Sequence, residues 1–360
     1  MSTDRLARVR ALLKKRECTH ILVTDSVDVE YLSGFRSSNA YLLIASRTAI
    51  LFTDFRYQSQ AAAFAAGNRR WRFIRIAESD FSFVAEHAPA GSVIGVQSNT
   101  LSMDAFDTLK RKCRKRKFVK LGAALSRIPM VKNEREIQAM RRAAAIGDRA
   151  LAAFLWQIRP GITEAAAARK LEQLCSQFGS ERPSFETIVL FGARAALPHG
   201  QPSQVRLKAG DWVLCDFGCT FKGLCSDMTR TFVVGTASDE QRAIYDIVFR
   251  AQKRARSACR AKMRAAELDA AARSVIQDSG YGEAFGHATG HGLGLRIHEA
   301  PRIGSRDETV LRENMVVTIE PGIYLEGSHG IRLEDMVVVG RSGSTLLTRS
   351  PRKLLEIPLQ

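Results

Sequence analysis

The chain has 360 residues, 45% of them hydrophobic, which is ample for packed cores and points to about two domains. No run approaches the ~20 apolar residues of a membrane span; AYLLIASRTAILF comes closest, and Ser46, Arg47 and Thr48 break it. The formal charge is +17, but the densest basic run, KRKCRKRKFVK (110–120), has sparse aromatics and no nucleic-acid motif beside it, so it reads as a solvated helix end at a domain border and argues against a nucleic-acid partner.

A basic amphipathic helix is predicted over 4–16. HILVTD (20–25), VEYLSGF (29–35), YLLIAS (41–46) and TAILFTD (48–54) follow as strand candidates, then a helix from Arg56 to about Ala66. WRFIRIA, a short helix near Ser82–Ala88, SVIGVQ and a helix over Ser102–Lys112 continue the alternation. It predicts an α/β domain over residues 1–127, with a mostly parallel or mixed sheet covered by helices. The first 20 residues hold no apolar h-region, so a signal peptide is not expected and a cytoplasmic location is.

A linker over about 122–132 leads into residues 128–360. KNEREIQAMRRAAAIGDRALAAFLWQI (132–158) has the helical period, with Ile137, Met140, Ala144, Leu151 and Leu155 on one stripe and Pro160-Gly161 to end it. Further helices are predicted over 164–179, 243–263 and 266–280. Helix pairs alternate with strand-rich stretches, which makes this domain α+β. The seven cysteines are odd in number and lack metal-finger spacing. They read as small buried apolar residues in a reducing compartment.

The strand-rich stretches carry misplaced acids. WVLCDFGCT (212–220) and GLCSDMTRTFVV (223–234) are β-prone on either side of a turn. A turn centred between Phe221 and Lys222 sets Asp216 opposite Asp227, about 4.5–5.5 Å apart at Cβ on one face. MVVTIE (315–320) and GIRLEDMVVV (330–339) repeat the arrangement about Gly327, with Glu320 opposite Glu334, Arg332 on the same face and Asp335 turned away. Like charges directly opposite destabilise a sheet, and unpaired buried carboxylates are costly. A pair of divalent cations between them is the simplest remedy.

His287 and His291 lie four apart, but Gly286, Gly290, Gly292 and Gly294 argue against a helix there. A glycine-rich loop entering a strand is predicted, with its backbone close to a ligand or metal. His298 follows in LGLRIHEAP. Carboxylates with a single imidazole suit Mn2+ best, with Zn2+, Co2+ or Fe2+ also able to bind.

LPHG around His199, DFG with Asp216, SDMTRTF with Asp227, GHGLGLRIHEAP, TIEPGIY and GIRLED occur in that order. Together they resemble the pita-bread metallopeptidases of the aminopeptidase P and prolidase (Xaa-Pro dipeptidase) branch, and the match spans nearly the whole chain. DVEYLSGFRSSNAYLLI and LFTDFRYQSQA resemble the creatinase-type N-terminal domain of that branch. The implied architecture is an α/β creatinase-type domain (1–127) and an α+β pita-bread domain (128–360).

The resemblance also implies roles. Asp216, Asp227, His291, Glu320 and Glu334 hold two metal ions, and Glu320 is the general base. His199 and His298 orient the scissile Xaa-Pro carbonyl. His287 lies near the substrate channel, and Arg332 belongs to the acid and substrate network. Arg302, in HEAPRIG, resembles a position that meets the proline carboxylate of a dipeptide, which tilts the expectation toward a dipeptidase over an aminopeptidase. Phe185 and Phe191 are candidate pocket walls. A homodimer acting on Xaa-Pro peptides is expected. Two other readings, a non-catalytic binding protein on the same scaffold and a creatinase-type C–N hydrolase, fit poorly with a complete ligand set. LRENMVV and AKMRAAELD lack glycines usual in such relatives, which bears on loop shape rather than chemistry.

Overall fold

Helices and strands interleave through the first of two units, Met1–Pro129; the second is Met130–Gln360. Both come from a computed structural model that describes residues 3–359. The first unit runs α1 (Thr3–Lys15), β1 (His20–Val23), α2 (Ser26–Ser33), β2 (Ala40–Ala45), β3 (Ala49–Thr53), α3 (Gln58–Gly67), β4 (Arg72–Arg75), α4 (Ser82–His87), β5 (Val93–Val96), α5 (Met103–Lys112) and β6 (Lys117–Lys120). Its sheet has the order β4-β3-β2-β1-β5-β6, antiparallel where β1, β2 and β3 meet and parallel elsewhere. This is the mixed α/β sheet that the alternation predicts.

Two local expectations fail there. VEYLSGF is mostly the helix α2, because the Asp25 side chain accepts from the backbone N–H of Val27 and Asp28 and Gly34, at φ 84°, closes the other end. The two caps outweigh the β preference of Val29 and Tyr31. The basic run is only half a helix end. Its last four residues are the edge strand β6, with Lys117 and Lys120 exposed at its two ends, where charge discourages further strand pairing.

The second unit runs α6 (Glu134–Leu155), α7 (Glu164–Gln177), β7 (Ile188–Phe191), β8 (Trp212–Phe217), β9 (Thr220–Phe221), β10 (Leu224–Cys225), β11 (Met228–Val234), α8 (Asp239–Ala258) and α9 (Ala265–Asp278). Then come β12 (Gly290–Gly292), β13 (Glu299–Ile303), β14 (Val316–Ile319), β15 (Gly322–Leu325), β16 (His329–Arg332), β17 (Asp335–Val339), β18 (Ser344–Leu346) and β19 (Glu356–Ile357). Asn133 and Glu136 form a capping box at the start of α6, and Ser238 with Gln241 does the same for α8. The second cap starts α8 four residues earlier than its apolar period suggests.

Helices α6 and α7 pack on the β19-β11-β8-β7 sheet through Leu151, Phe154, Leu171, Phe217 and Phe232. Helices α8 and α9 pack on the β13-β12-β14-β17-β18 sheet through Val248, Leu268, Ile276, Val317 and Val337. Each half is thus a helix pair on a sheet. Alternation along β8 sends Val213, Cys215 and Phe217 toward α6 and α7, and Trp212, Leu214 and Asp216 to the opposite face. An acid in an apolar strand is thereby aimed away from the core under α6 and α7.

Candidate metal centre

The first acid-bearing strand pair sets Asp216 opposite Thr229 and Phe217 opposite Met228, and β9 and β10 carry the register on to Phe221 opposite Leu224. The turn is therefore Lys222-Gly223, with φ of 51° and 74°. Two left-handed residues make the tight turn whose twist suits a hairpin. Asp216 does not face Asp227 directly, as expected from a turn centred one residue earlier. The register is displaced by two, which keeps both acids on one face in a diagonal relation.

The second pair keeps the expected register on both sides of a gap. Ile319 lies opposite Asp335 in β14 and β17, and Gly322 opposite Arg332 in β15 and β16. Glu320 and Glu334 fall in the gap between. There the Glu320 N–H donates to the Thr289 carbonyl (2.7 Å) and the Glu334 N–H to the Thr229 carbonyl (3.1 Å). The ladder opens at the two glutamates because each backbone is bonded to a different neighbour.

His291 sits in the three-residue strand β12. A Cβ on Gly290 would run into the Thr318 carbonyl, and one on Gly292 into the Ala300 carbonyl. Strand approach is reason enough for both glycines, and Gly290 also lines the cavity beside the acids.

Asp216, Asp227, His291, Glu320 and Glu334 line one cavity of about 670 Å³, together with His199, His287, His298, Arg302, Arg332 and Phe185. Phe191 does not; it is buried in the core under α6 and α7. His291 Nδ1 bonds the Gly292 carbonyl (3.0 Å) and so carries the proton. Its Nε2 lies 3.5 Å from Asp227 Oδ2 and 3.4 Å from Glu320 Oε1. Burial pushes the imidazole pKa down, which leaves a lone pair facing two carboxylates. Asp216 Oδ1, Asp227 Oδ1 and Glu334 Oε1 are buried without a hydrogen-bond partner.

Burial, then Glu334, Asp216 and Glu320, push the Asp227 carboxyl well above its ordinary range. Burial, then Glu320 and Asp216, do the same to Glu334. Burial also raises Glu320. The guanidinium that touches this acid cluster is that of Arg332, whose Nη2 donates to Asp216 Oδ2 at 2.5 Å. One candidate ligand atom from each of Asp227, His291 and Glu334 lies within 4.8 Å of the other two. Orphaned oxygens, an imidazole lone pair and excess negative charge fit divalent cations, and oxygen-rich donors suit hard or intermediate ones.

Residues around the acids fix them. Arg332 also donates to Thr229 Oγ1, the Pro198 carbonyl and Tyr324 Oη, while Tyr324 Oη bonds His287 Nε2 at 2.9 Å. Burial pushes the Tyr324 phenol up to about 12, so it stays protonated. His287 Nδ1 bonds the Ala288 carbonyl, which engages both ring nitrogens. Asp269 on α9 accepts from the N–H and hydroxyl of Thr289, and Arg273 ties Asp269 to the carbonyls of Phe285 and His287. His298 is exposed and stands edge-on to His291, with centroids 4.5 Å apart and planes at 79°. Sequence reasoning missed Tyr324, Thr229, Asp269 and the buried pair Lys132–Glu299. Tyr324 and Thr229 carried a hint, since Tyr324 alternates with Gly322 on the strand that opposes Arg332 and Thr229 alternates with Asp227.

Paired helix-on-sheet halves surround an acidic cavity whose donors fit divalent metal. The chain belongs to Metallopeptidase family M24, which residues 138–341 match, while residues 5–131 match the Creatinase/Prolidase N-terminal domain. The fold is accordingly a creatinase-type domain followed by a pita-bread domain. The chain is 36% identical to the Xaa-Pro dipeptidase of Pyrococcus furiosus over 98% of this chain and 99% of that one. It resembles the structure of the Xaa-Pro dipeptidase from Bacillus anthracis with a TM-score of 0.94 and 35% identity, each chain covered in full. The structure of an X-Pro aminopeptidase from Thermotoga maritima matches with a TM-score of 0.87 and 35% identity, over 98% of this chain and 99% of that one.

Proposed function

We propose that the protein hydrolyses the bond between an N-terminal residue and proline, with a preference for Xaa-Pro dipeptides. The observation that carries this reading is the cluster of orphaned carboxylate oxygens at Asp216, Asp227 and Glu334 facing His291 in one cavity. Asp216, Asp227, His291, Glu320 and Glu334 are assigned as holders of two divalent ions, with Mn2+ favoured by the oxygen-rich set. Bound there, the ions make water nucleophilic at neutral pH and polarise the scissile carbonyl.

The chain's own residues do the rest. Glu320, whose pKa burial raises in the metal-free protein, is assigned to accept a proton at Oε. His199 and His298 face the same cavity and are assigned to orient the carbonyl and to stabilise charge on its oxygen. Arg302 is exposed at the cavity, where a guanidinium matches the free carboxylate of a C-terminal proline. A longer peptide presents an amide there instead. Arg332 was expected near substrate, yet its side-chain donors go to Asp216, Thr229, Pro198 and Tyr324, so it is assigned to holding Asp216. His287 has both nitrogens engaged and offers substrate only its ring.

Turnover of Ala-Pro against Ala-Pro-Ala with Mn2+ tests the reading. Faster hydrolysis of the dipeptide is expected, and equal or better turnover of the tripeptide ends the dipeptidase preference. Loss of activity with chelator and return with Mn2+ tests the metal. A homodimer is inferred from the family resemblance and is checked by light scattering. A cytoplasmic setting is inferred from seven free cysteines, six of them buried. Among the described residues no helix is long and apolar enough to cross a membrane. The charge of +17 is assigned no nucleic-acid role, and passage through heparin at physiological salt without retention is the expected result.

A further inference from the structure

Lys132 lies one residue before the cap of α6, and its side chain runs inward. The side chains of Lys132 and Glu299 are each 2% exposed, with Nζ 2.9 Å from Oε2. Nζ also reaches the Met130 carbonyl at 3.4 Å. The other oxygen of Glu299, Oε1, accepts from the backbone N–H of Leu295 (2.9 Å) and Arg296 (3.2 Å). A Cβ on Gly294 would press on both Glu299 oxygens and the Lys132 stem. The segment from Gly294 to Glu299 is thus wound round one carboxylate, and His298 is the residue beside it.

Glu299 lines the cavity, yet protein donors occupy both of its oxygens, so it is no receptor for a substrate ammonium. Nor does a buried ion pair add much stability, because desolvation offsets its attraction. Its effect is a fixed geometry. We propose that Lys132 and Glu299 form a clamp that positions His298 for the reaction. The pair locks the 294–299 turn so that the His298 ring keeps its edge-on seat against His291 and its aim into the cavity. Neither Lys132 nor Glu299 touches substrate; both act through His298. The proposal rests on the reading of His298 as a group that faces substrate.

Steady-state kinetics on Ala-Pro with Mn2+ test it in Lys132→Met, His298→Ala, their double variant and Lys132→Met/Glu299→Gln. Lys132→Met is expected to lower kcat/KM about a hundredfold, the order that a misplacement of about 1 Å costs, with the loss in kcat and bound metal per chain unchanged. In the His298→Ala background the same substitution is expected to cost less than about threefold, since coupled groups are not additive. Adding Glu299→Gln to Lys132→Met removes the unpaired buried charge while its amide oxygen still accepts from Leu295 and Arg296. It is expected to recover about fivefold or more, and it serves in place of Lys132→Met if that variant fails to fold. Losses that multiply, a Lys132→Met protein as active as the wild type, or a His298→Ala protein with full activity would each overturn the clamp. Hydrogen exchange at the Leu295 and Arg296 amides reads the clamp without any activity. Exchange about tenfold faster in Lys132→Met supports it, and unchanged exchange refutes it. A wild-type protein inactive on Ala-Pro, with the exchange result as expected, would instead sink the substrate reading.

Discussion

Arg332 Nη2 lies 2.5 Å from Asp216 Oδ2, and the rest of the guanidinium is held by Thr229, Tyr324 and the Pro198 carbonyl. One cation is therefore fixed under one carboxylate, and the other oxygen of Asp216 is left to face the cavity. Burial works against the guanidinium charge, but Tyr324, Asp216 and Glu320 outweigh it, and its pKa rises. Arg332 sets where Asp216 points.

Replacing Arg332 by Lys keeps the charge and loses the fork. A point charge reaches one or two of these four partners. Arg332→Lys is expected to lower metal affinity or kcat/KM by about 10–100-fold, the usual range for groups that orient ligands. Titration with Mn2+ followed by activity on Ala-Pro measures both. An unchanged affinity and rate would remove Arg332 from the site.

Metal should stabilise the fold, and more so as pH rises. In the metal-free protein Asp227, Glu334 and Glu320 have folded pKa values raised by burial above their unfolded values. Between the ordinary carboxylate range, near pH 4, and those raised values, the folded state holds more protons than the unfolded state. Stability then falls with rising pH across that window and does not recover above it. Cations replace the protons and abolish this slope. The gain in melting temperature on adding Mn2+ to chelated protein is therefore expected to be larger at pH 8 than at pH 5. Saturation at about 100 Kd is worth about 2.7 kcal/mol. A larger gain at pH 5 would contradict the buried-acid account.

Much of this centre was legible because strands alternate and acids do not belong in apolar runs. Asp216, Asp227, Glu320 and Glu334 each break such a run, and alternation alone puts Arg332 with Glu334 and Asp335 on the other side. Asp335 is indeed turned to Arg230 and Arg352. The exact pairing of Asp216 was not legible, since it depended on whether Lys222 accepts a left-handed backbone. VEYLSGF is β-prone by residue type, and the local caps at Asp25, before that run, and Gly34, near its end, decide for helix. Lys132 and Glu299 are 167 positions apart, and no periodicity links residues that far separated.

The Lys222-Gly223 turn gives a stability prediction. Lys222 has φ 51°, a backbone that an ordinary L-residue pays for and that Asn enters more readily. Lys222→Asn is expected to stabilise the protein by about 0.5–1 kcal/mol, or about 1–3 °C in melting temperature. Gly223→Ala, at φ 74°, is expected to shift it the other way. Differential scanning fluorimetry on the metal-bound protein reads both, and a loss of stability in Lys222→Asn would argue that the turn is not left-handed.

The glycines around the histidines look alike in sequence and differ in structure. A Cβ at Gly286 meets nothing within 4 Å, whereas at Gly292 it meets the Ala300 backbone. Backbone cannot swing away as a side chain can, so Gly292→Ala must push β12 from β13 and carry His291 with it. Overpacking of this kind costs about 1–3 kcal/mol. Gly292→Ala is expected to lower the melting temperature and to weaken Mn2+ binding, because the imidazole leaves its place between Asp227 and Glu320. Gly286→Ala, only six residues earlier, is expected to stay within about 0.5 kcal/mol of the wild type and to bind metal normally. Calorimetric titration of both variants with Mn2+ separates strand approach from ligand approach as the reason for these glycines. If Gly286→Ala proved the more damaging, the clustering of glycines would reflect a ligand after all.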